Sequence, residues 1–246
     1  MKAKASRYPL PDLLRGIALI NMIAYHAVTD CVLVFGMSLP WYDSGAVHIW
    51  QRGIGCLFIL LAGFCAPLGG RSLRRGLLLS VCGGVITLVT QLVMPQNRVL
   101  FGILTFLGAA LLLWNVLHPL LERVRPSVGL VTAMLLFLVT VTVPQGALGI
   151  AEWPLIALPQ SLYRNALTAF FGFRPASLYS ADYYPLIPWF FLFAAGYYLF
   201  RRAEETGQLS ILSRGSCPVL CGMGRHSLLI YLVHQPVLIG IMSLIF

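Results

Sequence analysis

The chain has 246 residues, of which 59% are hydrophobic and only 10% are charged. Soluble domains carry about 45–50% apolar and about 25% charged residues, so this composition excludes an ordinary soluble protein and indicates an integral membrane protein. The 17 Lys and Arg residues outnumber the 8 Asp and Glu residues, which gives a net charge of +9. In a membrane protein this excess indicates basic cytoplasmic loops in contact with anionic membrane lipids, and we expect no nucleic-acid partner.

Seven apolar runs approach the length that crosses a hydrocarbon core as a helix, about 17–25 residues. In chain order they are residues 13–35, 54–68 with a polar lead-in from His48, 76–94, 100–117, 128–143, 185–200 and 227–246. Apolar residues surround these runs on all sides instead of alternating, which favours helices over a barrel. We therefore predict an all-α, polytopic helical bundle with about seven transmembrane helices, forming a single domain over residues 1–246.

The basic residues are distributed unevenly between the two sides that seven spans would create. One side receives only Arg52, Arg98, Arg164 and Arg174. The other side receives Lys2, Lys4, Arg7, Arg71, Arg74, Arg75, Arg123, Arg125, Arg201, Arg202, Arg214 and Arg225. Because short cytoplasmic loops are enriched in Lys and Arg, this asymmetry predicts a cytoplasmic N-terminus and an external C-terminus.

The longest connection, residues 144–184, would lie on the external side. It is rich in aromatic side chains, namely Trp153, Tyr163, Phe170, Phe171, Phe173 and Tyr179. Loops this long are usually functional or contain structure of their own. We expect an amphipathic cap at the outer interface, and the sequence leaves open whether the loop contains an additional re-entrant helix.

The first run carries three ionisable side chains, Arg15, His26 and Asp30. Their spacings of eleven and four residues place all three near one face of a helix. Ionisable groups inside a membrane are costly, so they indicate function. His26 could accept a proton at neutral pH, and Asp30, one turn away, could orient it. The spacing equally allows a structural interpretation, in which Arg15 extends to the interface and His26 bonds to a neighbouring helix.

Further polar residues lie near the outer ends of two predicted spans. His48, Trp50 and Arg52 introduce the second span, where an interfacial aromatic belt is the alternative interpretation. Asp182 precedes the sixth span, and a helix cap is the simpler role for an isolated carboxylate in that position.

The seventh span contains Tyr231, His234 and Gln235 directly before Pro236. A proline interrupts the backbone hydrogen bonds of a helix, so these side chains could line a pathway or simply belong to a kinked, packed helix. The six cysteines lie mostly within apolar runs, where a thiol behaves as a small hydrophobic group. No metal-ligand spacing is found, and we expect no metal.

Several motifs, taken in order, resemble the catalytic-domain family of heparan-alpha-glucosaminide N-acetyltransferase. The opening DLLRGIAL, followed by Met22, His26 and Asp30, is similar to the start of that family. LFILLAG, RVLFGILTFLG, SADYYPLIPW and GRHSLLIYLVHQP resemble its later blocks. The resemblance omits mainly the fifth span and the external loop. The spacing from Arg15 to His26 is also similar to that of the wider membrane acyltransferase-3 group.

The resemblance implies an enzyme that transfers an acyl group, expected to be acetyl, from cytosolic acyl-CoA. The acceptor would be an amine or hydroxyl of an extracytoplasmic molecule such as an amino sugar or an envelope glycan. The implied location is the cell membrane, and a second copy of the chain is the remaining candidate partner. Direct transfer and a transient acyl-histidine both stay open.

The candidate site residues, taken from the polar positions of the spans and from the resemblance together, fall into three groups. The catalytic candidates are His26, His48 and Asp30, the acyl-CoA-binding candidates are Arg15, Tyr231, His234 and Gln235, and the acceptor-binding candidates are Asp182, Arg52 and Trp50. In eukaryotic members an asparagine takes the place of His26, and the catalytic histidine lies before the second span. His48 is the local counterpart, so the sequence leaves open which histidine is the base.

Two other functions are consistent with the polar residues. His26 and His234 could ligate a haem in a membrane redox protein. Alternatively, the polar face of the first helix could form the pathway of a small-molecule transporter.

Overall fold

The computed structural model describes residues 8–70, 72–150, 153–215 and 217–246. Four basic residues used in the orientation argument, Lys2, Lys4, Arg7 and Arg71, lie outside this described part. The chain divides into two compact units. The first combines Met1–Leu61 with Ala203–Phe246, and the second is Ala62–Arg202.

The described residues are mostly helical, which confirms the predicted all-α class. In chain order the helices are α1 (Pro9–Leu33), α2 (Gly45–Cys65), α3 (Ser72–Val93), α4 (Ile103–Leu121), α5 (Pro126–Thr140), α6 (Ala166–Phe171), α7 (Leu186–Glu205), α8 (Pro218–Arg225) and α9 (Ser227–Met242). Each of the seven predicted spans coincides with one of these helices.

Among the described residues, five helical segments are long and apolar enough to cross a membrane. They are Pro9–Leu33, Gly45–Cys65, Ser72–Val93, Ile103–Leu121 and Pro126–Gln145. The other two predicted spans are also helices, but α7 ends in the charged sequence RRAEE and α9 has only 16 residues. The protein is therefore a helical membrane protein, and the count of seven spans remains a prediction.

In the first unit, α1 is the central element. Prolines in its first turn favour helix initiation, because their missing N–H groups have no partner there in any case. The short helix α8, which the apolar runs do not predict, packs along the first half of α1, and α9 also packs against α1. Two glycines allow α1 and α8 to approach closely. A Cβ on Gly16 would lie 2.2 Å from the carbonyl oxygen of Leu220, and one on Gly224 would lie 1.9 Å from that of Asp12.

In the second unit, α3 and α4 form an antiparallel pair whose contact is lined by glycines. A Cβ on Gly83 would lie 2.7 Å from the backbone nitrogen of Thr105, so the two backbones meet almost directly. Small residues permit this kind of close packing between membrane helices. The buried face of α7, including Phe193 and Tyr197, supplies much of the remaining core of this unit.

The long connection at residues 144–184 contains regular structure, and part of that structure is β. Two short antiparallel strands, β1 (Ala147–Ile150) and β2 (Trp153–Ala157), form a hairpin. The sequence analysis does not predict this hairpin, because strands of four and five residues are too short for a clear periodicity. The helix α6 has six residues and begins with a capping box made by Asn165 and Thr168.

Two tyrosines connect the loop to its surroundings through their hydroxyl groups. The hydroxyl of Tyr163 donates to the carbonyl oxygen of Val143, and that of Tyr183 donates to Ala169, each at 2.6 Å. Burial raises the pKa of both phenols above their ordinary value. Because a deprotonated phenol cannot donate, the raised pKa values let both hydrogen bonds persist to a higher pH than those of an ordinary tyrosine.

The charge asymmetry gives a topology that can be tested with tags. We expect tags after Arg75 and after Arg202 to be cytoplasmic and a tag within residues 144–184 to be external. Protection of each tag from an impermeant label in intact cells measures this. An external tag after Arg202 would contradict the seven-span arrangement.

Candidate functional site

At the N-terminal end of α1, a buried carboxylate binds two guanidinium groups. Asp12 is 3% exposed, and its Oδ1 lies 3.2 Å from Nη1 of Arg15 on the same helix. Its Oδ2 lies 3.8 Å from Nε of Arg225, at the end of α8. A buried charge without partners would be costly, so the two cations compensate it. This ion cluster fixes Arg15 and joins α8 to α1.

The sequence analysis assigns a role to Arg15 but none to Asp12. The signal was available, because Asp12 and Arg15 are three residues apart and such pairs face each other on a helix. The ion pair between Arg225 and Asp12 could not be predicted from spacing, because more than two hundred residues separate them.

Further along α1, two histidines from different helices are in contact, with their rings tilted against each other. The ring centroids of His26 on α1 and His234 on α9 are 4.9 Å apart, with an interplanar angle of 58°. His234 is 9% exposed, and its Nδ1 lies 2.5 Å from the carbonyl oxygen of Tyr231. The Tyr231 ring also contacts His234, at 5.4 Å between centroids.

A carboxylate and an amide join the same two helices one turn further on. Nε2 of Gln235 donates to both carboxylate oxygens of Asp30, at 2.7 and 2.9 Å. Asp30 is 3% exposed, so these hydrogen bonds satisfy a buried charge. The sequence analysis expects Asp30 to orient His26. Among the described residues, the hydrogen bonds of Asp30 instead go to Gln235, so its observed role is to connect α1 with α9.

His48 and Trp50 surround Tyr25, the residue next to His26. A small cavity is lined by Tyr25, Tyr42, Asp43, Val47, His48 and Gln51. His48 is exposed, and its Nδ1 lies 3.1 Å from the carbonyl oxygen of Ser44. Trp50 contacts the Tyr25 ring edge-on and donates its indole N–H to Oδ1 of Asn21, at 3.0 Å. Trp50 therefore has a structural contact, and the nearby Arg52 is exposed.

Asp182 lies in the second unit, where it caps a helix. Its Oδ2 accepts a hydrogen bond from the backbone N–H of Ile103, the first residue of α4, at 2.9 Å. The neighbouring Ser180 bonds to both the N–H and the carbonyl of Leu100, at 2.9 Å each. These contacts show Asp182 as a helix cap, which is the simpler of its two predicted roles. The capped helix is α4 and not α7.

Within the part of the chain that the structure describes, no group of three or more His, Cys, Asp or Glu side chains is placed to hold a metal ion. The side chains that the site brings together carry imidazole, carboxylate, amide and guanidinium groups. These are the groups of general acid–base catalysis and of anion binding.

Comparison with known proteins identifies the family to which the chain belongs. The sequence profile of the family described as "Heparan-alpha-glucosaminide N-acetyltransferase, catalytic" matches residues 7–236, which include both histidines, Asp30, Gln235 and the Asp12 ion cluster. Neither a curated protein nor a solved structure matches the chain. Because the profile covers nearly the whole chain, the protein belongs to the heparan-alpha-glucosaminide N-acetyltransferase catalytic-domain family.

Proposed function

We propose that this protein is a membrane acyltransferase. It transfers an acyl group, expected to be acetyl, from cytosolic acyl-CoA to an amine or hydroxyl of an extracytoplasmic acceptor such as an amino sugar or an envelope glycan. The observation that carries this proposal is the contact between His26 and His234, 4.9 Å apart, in a chain that belongs to an acetyltransferase family. The proposed location is the cell membrane.

The spacing along α1 suits a long donor molecule. Arg15 and His26 are eleven residues apart on one uninterrupted helix, a rise of about 16 Å. That distance is comparable to an extended pantetheine arm. If the guanidinium of Arg15 binds the donor's phosphates, the thioester therefore reaches the level of the histidine pair.

The ion cluster at the start of α1 provides the cations for such a donor. Arg15 and Arg225 each form an ion pair with Asp12. Because a guanidinium has five N–H donors, both side chains keep further N–H groups that can bind a ligand. The side chain of Arg225 is 55% exposed, so a phosphate can reach it from solvent. Guanidinium groups bind phosphate through two parallel hydrogen bonds, which favours arginine at this position.

The haem alternative does not fit the observed ring geometry. A bis-histidine haem requires the macrocycle to lie between the two imidazoles. At 4.9 Å between centroids the rings of His26 and His234 are in direct contact, which leaves no space for a porphyrin between them.

The proposal is tested by incubating the purified protein with radiolabelled acetyl-CoA, with and without a panel of amino sugars. Transfer of label to an amino sugar, or acceptor-dependent release of free CoA, is the expected result. The transporter alternative predicts instead that proteoliposomes take up a solute in the absence of acyl-CoA. Solute uptake without any acyl transfer or thioester cleavage would contradict the acyltransferase proposal and favour a transporter.

Substitution of Arg15 tests the donor end of the site. We expect Arg15→Ala to weaken acyl-CoA binding by about 10-fold or more, because hydrogen bonds to charged groups contribute about 1.5–3 kcal/mol. Arg15→Lys should lose less, since the ammonium still attracts phosphate but cannot bind it bidentately. Equilibrium binding of a non-hydrolysable acyl-CoA measures both, with Arg74→Ala as a control for the loss of one exposed arginine. Equal affinity of the wild type and Arg15→Ala would exclude this role.

A further inference from the structure

Two neighbouring side chains on α9 have buried atoms without a hydrogen-bond partner. Among the described residues, Nε2 of His234 and Oε1 of Gln235 are two of only three buried side-chain nitrogen or oxygen atoms in this condition. Leaving such an atom unpaired costs about 1–3 kcal/mol, and native structures contain few of them. Their occurrence on consecutive residues, against His26 and Asp30 of α1, indicates that this place is built to receive a hydrogen-bond donor.

The tautomer of His234 follows from its hydrogen bond to the helix backbone. The carbonyl oxygen of Tyr231 can only accept, so Nδ1 of His234 must carry the hydrogen. In the neutral ring, Nε2 then holds a lone pair and no hydrogen. The backbone of α9 thus orients the ring and fixes its tautomer, which is the role that a carboxylate or carbonyl plays for the base in nucleophilic active sites.

In the part of the chain that the structure describes, no such orienting group is seen for His26. The carboxylate of Asp30, one turn away, is occupied by Gln235, and the ring of His26 contacts Tyr25 and His234. Of the two facing imidazoles, only that of His234 combines a fixed tautomer, burial and an unused lone pair.

We infer that His234 is the proton acceptor of the acyl transfer. It is then a catalytic residue, whereas the sequence predicts a role in binding the acyl-CoA donor. This inference rests on the proposed function. Nε2 of His234 takes the proton from the acceptor's N–H or O–H group as the acceptor atom bonds to the acyl carbonyl carbon. The carbon–sulfur bond breaks, and His26, on the thioester side, passes the proton that His234 has taken on to the departing thiolate.

Proton transfer from His234 to His26, whose rings are in contact, returns both to their starting state, so the balance is acylated acceptor plus free CoA. Oε1 of Gln235 is the second unpaired acceptor atom and is placed to position the same acceptor group. In this scheme Gln235 is a positioning residue, held by its amide on Asp30.

The test compares His234→Ala and His234→Gln with the wild type in the acetyl-transfer assay. We expect turnover to fall by about 10²–10⁴-fold in both, with unchanged affinity for a non-hydrolysable acyl-CoA. Added imidazole should restore part of the turnover of His234→Ala, and more basic imidazoles should restore more. Val233→Ala, on the same helix, should retain wild-type turnover.

His234→Gln keeps the test decisive if the alanine variant does not fold, because glutamine fills the site and can donate to the Tyr231 carbonyl but cannot take a proton. Near-wild-type turnover of His234→Gln would overturn the inference. Weakened acyl-CoA binding at unchanged turnover would also overturn it and return His234 to the donor path. If the wild type itself transfers no acyl group and cleaves no thioester, the proposed function fails, which is a result distinct from these.

Discussion

His26→Ala should abolish measurable acyl transfer while leaving acyl-CoA binding largely intact. Loss of a general acid or base typically lowers a rate by about 10²–10⁴-fold, which is far more than a mild packing defect produces. His26 contacts His234 and lies about 16 Å along α1 from Arg15, so its removal affects the thioester end of the donor and not the nucleotide end. Single-turnover acetyl transfer, measured beside equilibrium acyl-CoA binding, separates the two effects.

His48→Ala belongs in the same experiment, because His48 has a competing claim from the family pattern. The structure favours His26: His48 is exposed and bonds to the Ser44 carbonyl, whereas His26 faces a second histidine. His118→Ala, at a histidine of α4 beside Glu122, controls for histidine loss in general. If His48→Ala is inactive while His26→Ala folds and is fully active, the assignment of the chemistry to the histidines of α1 and α9 is wrong. If both variants retain wild-type turnover, neither His26 nor His48 takes part in the chemistry, and His234 is the remaining histidine of the pair.

The helices could be predicted from the sequence because lipid imposes a strong constraint on composition. A run such as residues 76–94 has no aqueous face to satisfy, so apolarity alone marks α3. The same argument gives no information on α8, whose eight residues are too few for a span. It also fails for β1 and β2, whose four and five residues pair with each other and show no pattern of their own.

The candidate site, too, could be predicted from the sequence only in part. The one-face arrangement of Arg15, His26 and Asp30 depends only on helix geometry, and α1 is indeed one continuous helix. The partner of Asp30 could not be predicted, since Gln235 is 205 residues away and both residues could equally have faced other helices. Local spacing therefore suggested a His26–Asp30 pair, whereas packing of α9 against α1 produced an Asp30–Gln235 pair and a His26–His234 pair.

That packing depends on how α1 meets α8, which precedes α9 directly. Gly224 lies where α8 crosses α1, and an added Cβ would approach the carbonyl oxygen of Asp12 to 1.9 Å. No rotamer change can relieve a clash with backbone, so one of the helices would have to move. A shift of α1 at Asp12 would also separate its carboxylate from Arg15 and Arg225. Close approach between small residues is the usual basis of tight helix packing in membranes.

We therefore expect Gly224→Ala to destabilise the protein and Gly222→Ala not to destabilise it, although both lie in α8. A Cβ on Gly222 meets nothing within 4 Å, so this substitution should be neutral or should stabilise the helix by about 0.5–1 kcal/mol through reduced backbone freedom. Gly224→Ala should destabilise by about 1–3 kcal/mol, the usual cost of overpacking, and should weaken acyl-CoA binding as well. The midpoint of thermal unfolding in detergent, with and without acyl-CoA, measures both effects. Equal midpoints for the two variants would show that the close contact between α8 and Asp12 does not hold this end of α1 in place.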